Sequence, residues 1–247
     1  MPPDLVILVF GAFAAAFVVG AAGFGDALIC TAIWLHVLAP QEAVPLIVAT
    51  GLTIQIIVLF SLRRGLDFRH LWPFLIAGTV GVPVGAWLLT YADPEGFRSV
   101  MGSFLVVYGL VFLIARNIPV ATRGGKPLDG AIGGIGGVLG GLAGLSGFIP
   151  AMWCAQRGWP RDQVRGVMQP YILAMHGMAL VWLAVGGLVT EETGQTYLYI
   201  LPGIAAGCWL GLRCYGKLDD MTFRKLVLAM LVVSGLMLLA ETIGQLL

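Results

Sequence analysis

Charge is what this chain has least of. Only 11% of its 247 residues are Asp, Glu, Lys or Arg, against 59% hydrophobic residues. A soluble domain carries about a quarter of its residues charged. A mean hydropathy of +0.93 therefore makes lipid the solvent for much of the surface. The net charge of +1 leaves no basic footprint for nucleic acid. The four cysteines, Cys30, Cys154, Cys208 and Cys214, have neither CxxC nor zinc spacing. They read as small packing residues, and no metal is expected. No Gly-x4-Gly-Lys-Ser/Thr segment is present, so the chain has no ATPase of its own and needs no cofactor. Only Asp26 and His176 fall deep in apolar segments, too few for a membrane-embedded enzyme. Met1–Phe10 lacks Lys and Arg, and the apolar run that follows is longer than a cleaved leader's, so this segment is expected to be retained.

Eight apolar stretches are present, at about 5–39, 43–62, 71–91, 97–115, 129–156, 163–189, 196–216 and 221–244. A bilayer core takes about 20 apolar helical residues, and six of the stretches suit one crossing each. The stretches 5–39 and 129–156 do not. Each has a glycine cluster near its middle, Gly20-Ala-Ala-Gly23-Phe-Gly25-Asp26 in one and Gly141-Leu-Ala-Gly144-Leu-Ser146-Gly147 in the other. Glycine allows the positive φ of a sharp reversal, so each stretch is expected to be two short helices joined by a glycine turn.

The chain also repeats. The two clusters lie 121 residues apart, and Pro40-Gln-Glu-Ala-Val44 matches Pro160-Arg-Asp-Gln-Val164 at 120. Gly81-x3-Gly85 matches Gly207-x3-Gly211 at 126, and Phe97–Leu113 is identical to Phe223–Leu239 at 8 of 17 positions. The expected division is a first repeat at 1–116, a cytoplasmic linker at 117–128 and a second repeat at 129–247. Positive loops face the cytoplasm. Eight single crossings would split the basic loops evenly between the two sides. If the two broken stretches are hairpins, 13 of the 14 Lys and Arg residues share one side and only Arg98 lies opposite. The expected fold is therefore an all-α integral membrane protein of two inverted-topology repeats. Each repeat is a glycine-broken hairpin plus three transmembrane helices, and both termini lie outside the cytoplasm. Inverted repeats with broken helices are an established carrier architecture.

Length, two halves and the Gly-x-x-Gly-x-Gly type cluster opening each half resemble the TauE/SafE family of sulfite and organosulfonate transporters. The resemblance spans essentially the whole chain. The first cluster departs from it, with Asp26 where a further glycine is expected, and the second carries Ser146-Gly147. The resemblance implies a multi-pass carrier of a small sulfur-containing anion in a bacterial inner membrane. An anion channel and a carrier of small carboxylates are the alternatives. The partners expected are the anion, the bilayer and, where transport is coupled, protons.

Helix N-termini carry about half a positive charge and free N–H donors. Two of them meeting at the glycine turns would hold an oxyanion without a buried arginine. The candidate binding residues are Gly23, Gly25, Asp26, Gly144, Ser146 and Gly147 at the turns. Thr50, Thr53, Gln55, Gln169 and His176 join them from the stretches at 43–62 and 163–189. Asp26 and His176 are candidates for coupling to protons, because burial raises a carboxyl pKa and histidine titrates near neutrality. Asp26 also suits a helix N-cap. Gly81, Gly85, Gly133, Gly137, Gly207 and Gly211 are expected only to let helices approach closely. Trp34 and His36 are expected at the membrane interface. Arg157, Arg161 and Arg165 could draw anions inward or enforce orientation, and orientation is the favoured reading.

Overall fold

The structure, a computed structural model, describes residues 4–61, 66–114, 125–215 and 220–246. Arg63, Arg64, Arg116, Arg123, Lys217 and most of the 117–128 linker lie outside them, as do the side chains of Arg161 and Arg224. Every regular element among the described residues is helical. The order is α1 (Leu5–Ala22), α2 (Asp26–Trp34), α3 (Pro40–Ser61), α4 (Phe68–Thr90), α5 (Pro94–Ile114), α6 (Lys126–Ala143), α7 (Phe148–Gln156), α8 (Arg161–Val185), α9 (Glu191–Cys214) and α10 (Asp220–Leu246). Five of them, α3, α4, α5, α8 and α9, are long and apolar enough to cross a membrane. α3 and α5 open on Pro40 and Pro94, three residues before the expected starts, because a first-turn N–H has no partner for proline to remove.

Both broken stretches break where the glycines fall. α1 ends on Gly23 at φ 99° and α2 starts from Gly25 at φ 108°. α6 ends on Gly144 at φ 72°. The chain then doubles back in both places. Trp34, at the end of α2, lies on Gly11 of α1, where a Cβ would collide with its indole. Arg157, just past α7, donates to both oxygens of Asp129 near the start of α6, at 2.8 and 2.9 Å, and Trp153 Nε1 donates to Asp129 Oδ1 at 2.7 Å. The arms are unequal, contrary to expectation. α1 and α6 have 18 residues each and α2 and α7 nine. A rise of 1.5 Å per residue makes the longer arms about 27 Å, close to a full crossing. Trp34 is fully buried instead of interfacial, because it fills the space Gly11 leaves.

Glycine governs how the long helices meet. α6 packs on α4, and Cβ atoms at Gly133, Gly137 or Gly141 would run into the α4 backbone at Phe74, Gly78 and Val82. α1 packs on α9 in the same way, with Gly207 and Gly211 against Phe13 and Phe17. This is small-xxx-small packing, which brings backbones into dispersion contact where lipid offers no hydrophobic driving force. α5 packs on α10, and α3 on α8. The α3–α8 pair lies between the hairpins and positions the site.

At one end of the molecule, the starts of α4 and α8 are joined. Gln163 donates to Asp67 Oδ2 at 3.2 Å, and Asp67 N–H to Gly166 O at 3.4 Å. Burial pushes the Asp67 carboxyl up, but hydrogen bonds from His70 and Gln163 outweigh it and hold it below its usual range. At another end, His36 sits 2.9 Å from Glu241 and 3.1 Å from Ser234, fastening the end of α2 to α10. Arg98 donates to Leu38 O at 3.1 Å, and Gln41 to Ala92 O at 2.8 Å.

Candidate functional site at the hairpin tips

The two glycine turns meet. A Cβ on Gly144 would lie 3.5 Å from the Cβ of Ala27, in the first turn of α2, and 2.8 Å from the Ile47 side chain on α3. Between the tips lies a cavity of about 10 Å³, lined by Gly25, Asp26, Gly144, Gly147, Phe148 and Ile172 among others. That is room for about one water. Both short helices start here, α2 at Asp26 and α7 at Phe148. Their first-turn N–H groups have no intrahelical acceptor. Pro150 sits in the first turn of α7, where its missing N–H breaks no helical bond.

Asp26 is 5% exposed and is not a cap. Gly25 holds the N-cap position without a side-chain bond, and Asp26 Oδ2 has no hydrogen-bond partner. His176 Nδ1 lies 3.7 Å from Oδ2. His176 is fully buried, and its Nε2 lies 2.9 Å from Gly144 O. One imidazole on α8 thus links the first hairpin's carboxylate to the second hairpin's turn. Gly51 on α3 makes this possible, because any Cβ there would overlap both Asp26 Oδ2 and the imidazole.

The remaining candidates divide. Gln169 Nε2 donates to Gly23 O at 2.6 Å, and its Oε1 is left without a partner. Ser146 is fully buried in the second turn with an unpartnered Oγ. Gly147 packs against Ile172. Thr50 and Gln55 are buried without polar partners, and Gln55 lies one turn from Gly51 on the same face of α3. Thr53 does not join them. It pairs with Tyr197 of α9 at 2.5 Å and with Ala49 O at 3.1 Å. Buried polar atoms are nearly always hydrogen-bonded, so Asp26 Oδ2, Ser146 Oγ, Gln169 Oε1 and His176 Nδ1 mark a place for water or ligand.

Two residues at the turns were not among the candidate binding residues read from the sequence. Gly51 carries no chemistry of its own, only space. Arg165 was expected to set orientation, yet it is 7% exposed and its Nη2 donates to Val19 O and Gly20 O, both at 3.3 Å. The oxyanion site is therefore not free of a buried arginine nearby. A spacing signal was present: Arg165, Gln169, Ile172 and His176 follow an i, i+4, i+7, i+11 pattern, one stripe of a helix.

Over residues 8–238 the chain matches the family Sulfite exporter TauE/SafE. The chain belongs to this family. It is thus a multi-pass membrane transporter of the type that moves sulfite or related sulfur anions. Neither the curated proteins nor the solved structures include a match. Among the described residues, no group of three or more His, Cys, Asp or Glu could hold a metal ion.

Proposed function

We propose that this TauE/SafE protein carries a small sulfur oxyanion, sulfite or an organosulfonate, across the bacterial inner membrane by alternating access. The observation that carries the proposal is the meeting of the two tips. Two helix N-termini open on one small cavity lined by Asp26, and the neighbouring Ser146, Gln169 and His176 each leave a buried polar atom without a partner. Oriented N–H groups and a hydroxyl are the donors an oxyanion needs. The cavity, with space for about one water, is too small for a three-oxygen anion. Substrate entry therefore requires the tips to part, which favours a carrier over an open channel.

The same reading makes the two repeats inverted. The open end of the second hairpin, Asp129 with Arg157, belongs with the basic starts of α4 and α8; Lys126 of α6 lies 5.2 Å over Trp72 of α4. The open end of the first hairpin lies with Glu241, Leu38 and Arg98. The basic end faces the cytoplasm by the positive-inside rule, which puts both termini in the periplasm.

Asp26 and His176 couple the anion to a proton. An ionised Asp26 repels substrate, and a proton taken up by the Asp26–His176 pair removes that repulsion. The test is sulfite flux into liposomes holding the purified protein, measured across a range of pH. Saturable flux that rises with an inward proton gradient is expected, with the gradient dependence lost in Asp26→Asn. Unsaturable flux sinks the carrier, and an Asp26→Asn protein with unchanged proton dependence sinks the coupling.

A further inference from the structure

Arg165 has more positive charge than its surroundings answer. The guanidinium carbon lies over the Tyr215 ring, 4.0 Å from its centre. Nη2 makes two long bonds to the last carbonyls of α1, and Nε makes none. No carboxylate pairs with it among the described residues. Arg157 shows the contrast, since a carboxylate grips it directly. A guanidinium does not shed its proton on burial, so a buried one needs a counter-charge. The carbonyl end of α1 supplies part of one, and the Tyr215 ring a little more. Neither is a full negative charge.

The free Nε also has a defined neighbour. It faces Gly23, where a Cβ would lie 2.6 Å away. Gly23 is the first glycine of the turn that leads to the cavity. One helical turn further along α8, Gln169 holds the Gly23 carbonyl and leaves its own Oε1 open. After a further turn, Ile172 lines the cavity itself. Arg165 thus stands about 10 Å before the cavity along α8, with Gln169 on the same helix between them.

We propose that Arg165 and the Gly23 turn form a second anion station, on the α8 N-terminal side of the central cavity, which a doubly charged oxyanion occupies on its way to or from the hairpin tips. The proposal rests on the anion-carrier reading. On arrival, the anion takes the free Nε and competes with the α1 carbonyls for Nη2. A guanidinium edge suits a doubly charged oxyanion, which can accept two parallel N–H bonds.

A cap on α1 alone would make Arg165 structural, and the two roles separate by charge selectivity. Binding of sulfite at alkaline pH, where it carries two charges, and of methanesulfonate, which carries one, is measured calorimetrically on the purified full chain. The wild type is expected to prefer sulfite. Arg165→Gln should reduce the sulfite-to-methanesulfonate affinity ratio about tenfold, the effect of losing one charge-assisted bond. An unchanged ratio overturns the proposal, because a purely structural loss weakens both anions alike. Where Arg165→Gln does not fold, Arg165→Lys decides. It keeps the charge and loses the planar fork, so sulfite affinity should fall several-fold while the preference for sulfite persists. Wild-type sulfite affinity in Arg165→Lys overturns the proposal. If the wild type binds neither anion, the carrier reading itself fails.

Discussion

The two helices at the centre, α3 and α8, pack on each other and differ in the polar groups they carry. Where α8 carries Arg165, Gln169, Ile172 and His176, α3 has Pro45, Ala49, Leu52 and Ile56, each 120 residues earlier. The polar stripe of α8 has no equivalent at these α3 positions. α3 contributes space instead: Gly51 admits the Asp26–His176 pair, and Ile47 seals the Gly144 turn. α8 carries a buried arginine on one side of the cavity, and α3 has no cation. The carboxylate is placed with the same asymmetry, since Asp26 opens α2 while Phe148 opens α7.

Exchanging the central residues strains this comparison most. In the double variant His176→Ile with Ile56→His, Asp26 Oδ2 and Gly144 O lose their common neighbour. Leaving Gly144 O unpaired costs about 1–3 kcal/mol, and with Asp26 also stripped of its imidazole neighbour, liposome sulfite flux should fall by more than about tenfold. Flux near the wild-type level would show the halves to be interchangeable.

Gly51 and its counterpart Tyr171 give the next contrast. Gly51→Ala puts a methyl group into Asp26 and His176. Transport should be largely abolished in a protein whose thermal midpoint in detergent falls only modestly. Tyr171→Phe removes only the bond from its hydroxyl to Gly133 O, 2.7 Å long. It should lower stability by about 1 kcal/mol and leave flux unchanged. Equal loss of flux in both variants would erase the distinction between site and packing.

Gln169→Leu is the milder test of the stripe. Gly23 O loses its 2.6 Å donor, and a thermal-shift assay should show destabilisation of about 1 kcal/mol together with weaker sulfite-induced stabilisation. An unchanged sulfite response would remove Gln169 from the site.

Asp67→Asn should have the smallest effect and should depend on pH. The Asp67 carboxyl is held below its usual range by His70 and Gln163. Its contribution is therefore complete above the ordinary carboxylate pKa of about 4 and is lost as pH falls through the lower folded value. The variant's thermal midpoint should sit slightly below wild type at neutral pH and converge with it in acid. A gap that widens in acid would contradict the assignment.

Both turns, and the helices on either side of them, were legible in the sequence. Local physics decides them, because positive φ at Gly23, Gly25 and Gly144 is open to glycine and costly to other residues. The close-packing role of Gly133, Gly137, Gly207 and Gly211 was legible too, from spacing alone. The unequal hairpin arms were not, since apolar composition does not reveal where along a stretch the partner arm stops. Nor was the dependence of Asp26 on Gly51. A missing side chain 25 positions away has no signature until the fold brings the two together.

By itself the sequence determined a lipid-solvated helical chain broken at two glycine clusters. Composition, repeat spacing and backbone preference are properties of single residues and their near neighbours. Only the tertiary structure decided that the two turns share one cavity and that His176 spans them. It alone buried Arg165 against Gly23 with its charge unanswered. Such facts depend on which distant groups burial forces together, and on which of them it leaves without a partner.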